Sequence, residues 1–174
     1  MDSDTTQRLI IVADLVLKYK GNKHVFKRIF ENDVEVKCEI RDQKLHGKCS
    51  ILFPEEYRRY AYGYDPERKI ICNYHDGLLH GEYQEFQNNI LFLSCSYSYG
   101  KKEGVYLKNW DIYPYINYPV VCRISCYYSN DMKQGEYKEF YKNGKLSVYC
   151  SNYLNDMKHG IYATFCDSGE INTE

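Results

Sequence analysis

Between residues 36 and 172 the chain alternates apolar arms with short polar turns. Arms such as "KIICNYH" (69–75) and "RISCYYS" (123–129) are rich in Ile, Val, Cys and Tyr, residues that suit a pleated, half-buried surface. In each, Cys stands two positions before Tyr, so both side chains leave the same face of an extended strand. Polar segments follow: "DGLLH", "YGKKE", "NDMKQ" and "NDMKH". Their Asp-Gly and Asn-Asp pairs form turns because they tolerate positive φ or bond their own backbone. A glycine then opens a return arm, as in "GEYQEF" (81–86) and "GEYKEF" (135–140). The pattern predicts a β-hairpin per copy, with the glycine permitting a bulge or a close backbone approach.

Five glycines share these surroundings: Gly47, Gly81, Gly104, Gly135 and Gly160. A cysteine stands nine residues before the first four (Cys38, Cys72, Cys95, Cys126), and Cys150 stands ten before the fifth. Ile40, Tyr74, Tyr97, Tyr128 and Tyr153 come seven before; Cys49, Tyr83, Tyr106, Tyr137 and Tyr162 come two after. Phe53, Phe86, Trp110, Phe140 and Phe165 follow at five or six. Four columns agreeing over five copies identify an internal repeat, which takes precedence over other fold assignments. The glycine intervals are 34, 23, 31 and 25 residues, a unit of 23 with two insertions.

The stretches "YHDGLLHGEYQEF", "YSYGKKEGVYLKNW", "YSNDMKQGEYKEFYKNGKL" and "YLNDMKHGIYATFCDSGEI" resemble the MORN-repeat variant of YwqK-type antitoxin proteins, also abundant in large DNA viruses of amoebae. The resemblance covers residues 36–172. It departs from the family in its cysteine column, in the weak first copy "IRDQKLHGKCSILF" and in the two insertions. It implies an all-β fold: a single-layer, elongated antiparallel meander of five stacked hairpins. It also implies a scaffold role, with an antitoxin-like or viral accessory function as one version.

Residues 1–30 differ in kind. "TTQRLIIVADLVLKYK" places Leu9, Val12, Ala13, Val16 and Leu17 at helical spacing, with Thr5 or Thr6 as N-cap and Gly21 as stop. The expectation is a short capping helix over the open edge of the first hairpin, ahead of a repeat domain at 31–174, with strand left open by the β-branched content and a partner-docking helix as the alternative. The run is too short to span a bilayer, and the acidic start "MDSD" is unlike a secretory signal.

Composition refines this picture. A formal charge of −1, from 23 basic and 24 acidic residues, gives no electrostatic reason to expect nucleic acid. Twenty tyrosines suit a sheet that cannot hide both faces, since the ring is apolar and the hydroxyl is wet. The eight cysteines raise disulfides and metal. Cysteines of one column fall on every second strand, about 9.5 Å apart, whereas a disulfide needs Cα atoms within about 7 Å and zinc gathers thiolates at about 2.3 Å. The reading is small buried apolar residues in a reducing compartment, the cytoplasm of a cell or of a viral host. Cys38 with Cys49 is the one pair that could meet.

His46, His80 and His159 precede the repeat glycine, but Glu103 and Gln134 fill the same column, which marks a polar turn slot rather than a metal site. Glu82, Glu85, Glu136 and Glu139 recur with the repeat and read as a solvated strand face. No phosphate-cradling loop, nucleophile elbow or metalloprotease helix occurs. The expectation is a non-enzymatic protein with no cofactor and no metal.

Function then falls on what breaks the repeat. The insertions "FPEEYRRYAYGYDPERK" (53–69) and "WDIYPYINYP" (110–119) are rich in residues that anchor interfaces. Tyr57, Arg58, Arg59, Tyr60, Tyr62 and Tyr64 in the first, and Trp110, Tyr113, Tyr115 and Tyr118 in the second, are the candidate partner-binding residues. Each insertion should be a loop or hold an even number of strands, because one extra strand would reverse every later hairpin. A protein partner is the expectation; peripheral membrane attachment is the alternative, and edge-to-edge pairing of two copies is left open.

Overall fold

The computed structural model describes residues 26–29, 34–53, 56–57, 64–65, 67–109 and 121–172. Among them every element is a strand. In chain order these are β1 (Phe26–Ile29), β2 (Glu35–Arg41), β3 (Lys44–Phe53), β4 (Glu56–Tyr57), β5 (Tyr64–Asp65), β6 (Arg68–His75) and β7 (Leu78–Gln87). There follow β8 (Ile90–Ser98), β9 (Lys101–Asn109), β10 (Val121–Ser129), β11 (Met132–Tyr141), β12 (Leu146–Leu154) and β13 (Met157–Thr164). Eleven form one open antiparallel meander in the order β1-β2-β3-β6-β7-β8-β9-β10-β11-β12-β13, while β4 and β5 pair only with each other. The five expected hairpins are β2–β3, β6–β7, β8–β9, β10–β11 and β12–β13. The expected N-terminal helix lies outside the described residues. Phe26–Ile29, within the segment assigned to a cap, is strand β1 against β2.

Hairpin chemistry follows the sequence. The turns at Asp42-Gln43, Asp76-Gly77, Tyr99-Gly100, Asn130-Asp131 and Asn155-Asp156 have both central residues at positive φ. That is the turn whose twist matches two right-twisted strands. The five repeat glycines sit at φ between +67° and +86°, where the hairpin register shifts around them. Each is therefore a bulge, as the sequence suggested.

One face carries the repeat's cysteines and tyrosines, and the register lines them into a row. Cys38 faces Cys49, Cys49 faces Cys72, Cys72 faces Tyr83 and Tyr83 faces Cys95. Further along, Tyr106 faces Cys126, Tyr137 faces Cys150 and Cys150 faces Tyr162. The row's cysteines are buried, because a short thiol is shaded by taller same-face neighbours two positions away, such as Ile70 and Tyr74 around Cys72. The contiguous core runs from Val36 in β2 to Tyr97 in β8, with Tyr106 of β9 packed against it. Beyond it the face opens, and most of β13 is exposed.

The first copy departs from the expected thiol spacing. Because Cys49 stands where later copies have Tyr, Cys38, Cys49 and Cys72 occupy three adjacent strands. Cys49 therefore meets two cysteines, not only Cys38. All seven described cysteines are free thiols.

Candidate functional site

At the tight-turn end of the sheet, each hairpin is clasped to the next. The backbone N–H of Gly77 donates to the Leu45 carbonyl at 2.8 Å, Gly100 to Leu79 at 2.7 Å, Asp131 to Lys102 at 3.1 Å and Asp156 to Lys133 at 3.2 Å. The residue before each glycine supplies a second clasp. His46 Nδ1 accepts from the Asp76 N–H at 3.4 Å, His80 Nδ1 from Tyr99 at 3.4 Å, and Glu103 Oε2 from Asn130 at 3.0 Å. Gln134 Nε2 instead donates to Asn155 Oδ1 at 2.6 Å. The polar turn slot read from the sequence is thus a junction between neighbouring hairpins. His46, His75 and His80 come together there, with ring centroids 5.1 and 5.7 Å apart. Among the described residues no group of three or more His, Cys, Asp or Glu has metal-holding geometry.

The inner face changes character along the array. The position two before the glycine is Leu45, Leu79, Lys102, Lys133 and Lys158 in successive copies. The leucines pack in or against the core. Lys102 instead lies over the rings of Tyr106 and Tyr128 at 5.8 and 5.0 Å, and Lys133 over Tyr137 and Tyr153 at 5.6 and 5.4 Å. The tyrosines pair across the last three hairpin junctions: Tyr83 with Tyr97 at 5.5 Å, Tyr106 with Tyr128 at 5.4 Å and Tyr137 with Tyr153 at 5.5 Å. Burial raises the pKa of these phenols, most simply because a phenolate loses its hydration there.

One expectation is corrected on this face. Glu85 is not a solvated strand residue: it is only 6% exposed, and Tyr83 Oη donates to its Oε1 at 2.7 Å. Tyr137 and Glu139 repeat the arrangement in a less buried setting. The Tyr-x-Glu spacing on one strand face carries this signal, but it looks the same whether the face is wet or dry. Glu82 and Glu136 are exposed, as expected.

Both insertions leave from the opposite end of the sheet. The first lies between β3 and β6, the second between β9 and β10. β3 and β9 run in the same direction four strand positions apart, about 19 Å at the usual spacing. Their anchors are held. Where the first insertion rejoins the sheet, the Glu67 N–H donates to Asn88 Oδ1 at 3.1 Å and the Glu67 carbonyl accepts from the Asn88 N–H at 2.9 Å. Where the second departs, Asn109 Nδ2 donates to the Leu91 carbonyl at 3.2 Å.

Of the candidate residues, Tyr57 in β4 is paired with Tyr64 in β5. Among its described residues the first insertion therefore holds two strands, an even number as parity requires. Arg58, Arg59, Tyr60, Tyr62, Trp110, Tyr113, Tyr115 and Tyr118 lie outside the described residues. On the outer face, a groove of about 220 Å³ includes Glu35, Lys37, Glu67 and Lys69, and Lys37 is ion-paired to Glu35 at 3.2 Å. Its charges are balanced, so it favours neither anion nor cation. No helix among the described residues is long and apolar enough to cross a membrane. No protein-family model matches the chain, and no curated protein is similar to it.

Proposed function

We propose that the chain is a non-enzymatic repeat scaffold that presents its two tyrosine-rich insertions to a protein partner in a reducing compartment. The observation that carries this reading is the common origin of the insertions: both emerge at one end of the sheet, about 19 Å apart, from anchored positions. Departure points at that separation fall within the span of one standard interface. The recurring His and Glu side chains support it too, since they hold hairpins and turns together. An antitoxin-like or viral accessory role is the version the MORN-type resemblance suggests. The test is affinity capture from the native source with cross-linking. Replacing Tyr113, Tyr115 and Tyr118 with Ala should lower recovery of the partner at least tenfold, and unchanged recovery would remove the second insertion from the interface.

A second reading, attachment to an anionic membrane surface, draws support from Lys102, Lys133 and Lys158 recurring on one face. Glu139 shares that face, and Asp131 and Asp156 hold the Lys102 and Lys133 amides at the adjoining turns, which favours a protein. Flotation with phosphatidylserine vesicles separates the two: salt-sensitive binding supports the membrane reading, and no binding supports the protein reading.

A further inference from the structure

We infer that the inner face of β9–β13, at its tight-turn end, is a docking site for an acidic polyproline II segment of a protein partner, with a carboxylate at every third residue. The inference rests on reading the chain as an interaction module, and it names a surface separate from the insertions.

The cations of this face form a ladder of fixed spacing. Lys102, Lys133 and Lys158 hold the same repeat position on β9, β11 and β13, so each stands two strands from the next, about 9.6 Å. Their ammonium groups lie over tyrosine rings, that of Lys158 at 3.7 Å from the centre of Tyr162. None of the three forms an ion pair among the described residues, whereas Lys37 and Lys138 on the outer face are paired with Glu35 and Glu136. The carboxylates around the ladder have other work: Asp131 and Asp156 accept from the Lys102 and Lys133 amides, and Glu139 accepts the Tyr137 hydroxyl. Two rungs stand on β9 and β11, strands paired on both sides, so the site does not depend on the last edge.

The rings beside the lysines can be reached. Tyr106, Tyr128 and Tyr137 are half-buried and Tyr162 is 47% exposed, while Tyr83 in the dry part of the array is 1% exposed. Leu45 and Leu79 fill the lysine position in the first two copies, so the ladder begins where the core ends.

A ligand must meet cations about 9.6 Å apart on a line that crosses the strands, and lay apolar groups on the rings between them. A polyproline II helix has three residues per turn, so side chains three apart leave one face at intervals of about 9.3 Å. In a β-strand, residues three apart point to opposite faces. An α-helix advances only about 4.5 Å over three residues. Seven residues of polyproline II therefore bring three acids to the three lysines. The prolines between them pack on tyrosine, as proline-rich segments do in aromatic-lined grooves. No stretch of the 174 residues carries three acids at successive three-residue intervals, so none of them supplies this ligand.

The probe is a fluorescein-labelled peptide, "EPPEPPEPP"; the control "EPEPPPEPP" keeps the composition and breaks the interval. Titration with the full chain should give a saturable rise in anisotropy that the control lacks, with amide shift changes centred on Lys102, Lys133 and Tyr137. Lys133→Gln, with its melting temperature checked, should weaken binding about fivefold, the worth of one exposed ion pair. Lys138→Gln on the outer face should leave it unchanged. Lys133→Glu should lose "EPPEPPEPP" and recover binding to "EPPKPPEPP", a rescue that a merely destabilised sheet would not give. Absence of saturable binding, equal binding of the control, indifference to Lys133→Gln, or shifts centred elsewhere would overturn the inference. So would phosphatidylserine vesicles that bind through Lys133 and that the peptide cannot displace. The titration uses the purified chain with its insertions intact, so failure here and failure of partner capture through the insertions are separate results.

Discussion

Gly104 and Gly160 share a backbone conformation but not a neighbourhood. Their φ values are +84° and +76°, yet a Cβ on Gly104 would meet nothing within 4 Å, while one on Gly160 would come within 2.5 Å of Ser151 Oγ. That hydroxyl accepts from the Ile161 N–H at 2.9 Å, so it cannot retreat freely. Gly104→Ala should cost about 1–2 kcal/mol, the left-handed penalty for an L-residue. Gly160→Ala should cost about 1 kcal/mol more by displacing a hydrogen bond. Urea unfolding of both, with Ser151→Ala added to each, checks this: the extra loss at Gly160 should shrink in the double variant.

The thiols make a second residue-scale prediction. Burial pushes Cys95 and Cys126 up to about 11, against an unperturbed 9.0. Folding therefore favours the protonated thiol. That contribution is complete below pH 9 and is lost as pH rises from 9 to 11, at about 2 kcal/mol per thiol. Melting temperature under reducing conditions should fall over that window, and Cys95→Ala should flatten the fall. The cysteine column, read as buried from its place in the repeat, supplied this directly. The contact of Cys49 with Cys72 was harder to see, because it depends on one cysteine standing in a tyrosine column.

At the scale of the element, the hairpins were legible because each carried its own local signals: a cysteine in the upstream arm (Cys-x-Tyr in three of the five), a two-residue turn and a glycine. The clasps were not, because their partners lie 19–30 residues apart and belong to different copies. Asp156 belongs to two of them: its N–H donates to the Lys133 carbonyl, and its Oδ1 accepts from the Lys133 N–H at 2.9 Å. Asp156→Ala should remove the second bond, lower stability by about 1 kcal/mol and speed hydrogen exchange at the Lys133 amide. Unchanged exchange there would show that the carboxylate does not hold the junction. Glu85 escaped sequence reasoning for a related reason. Its strand alternates as a wet strand would, and only the packing of β6 to β8 makes that stretch dry.

For the whole molecule, the repeat count, the single layer and the strand order followed from the sequence, since a meander leaves each hairpin only its neighbours to pack against. The gradient along the array was also written there, in the change from Leu45 and Leu79 to Lys102, Lys133 and Lys158, but its meaning needed the tyrosine pairs on the page. The surroundings of the insertions were legible only as to where they attach. Local composition marks a segment as set apart from the repeat without specifying its path.

A sheet one strand thick, joined hairpin to hairpin, has a mechanical signature. Pulled between its ends, it has no second layer among the described residues to share the load, so the outermost strand peels by breaking its bonds one after another. Each hairpin released would lengthen the chain by roughly 80 Å. Such a molecule would yield in steps at low tension and re-form from whichever units remain, behaving as an extensible tether rather than a strut.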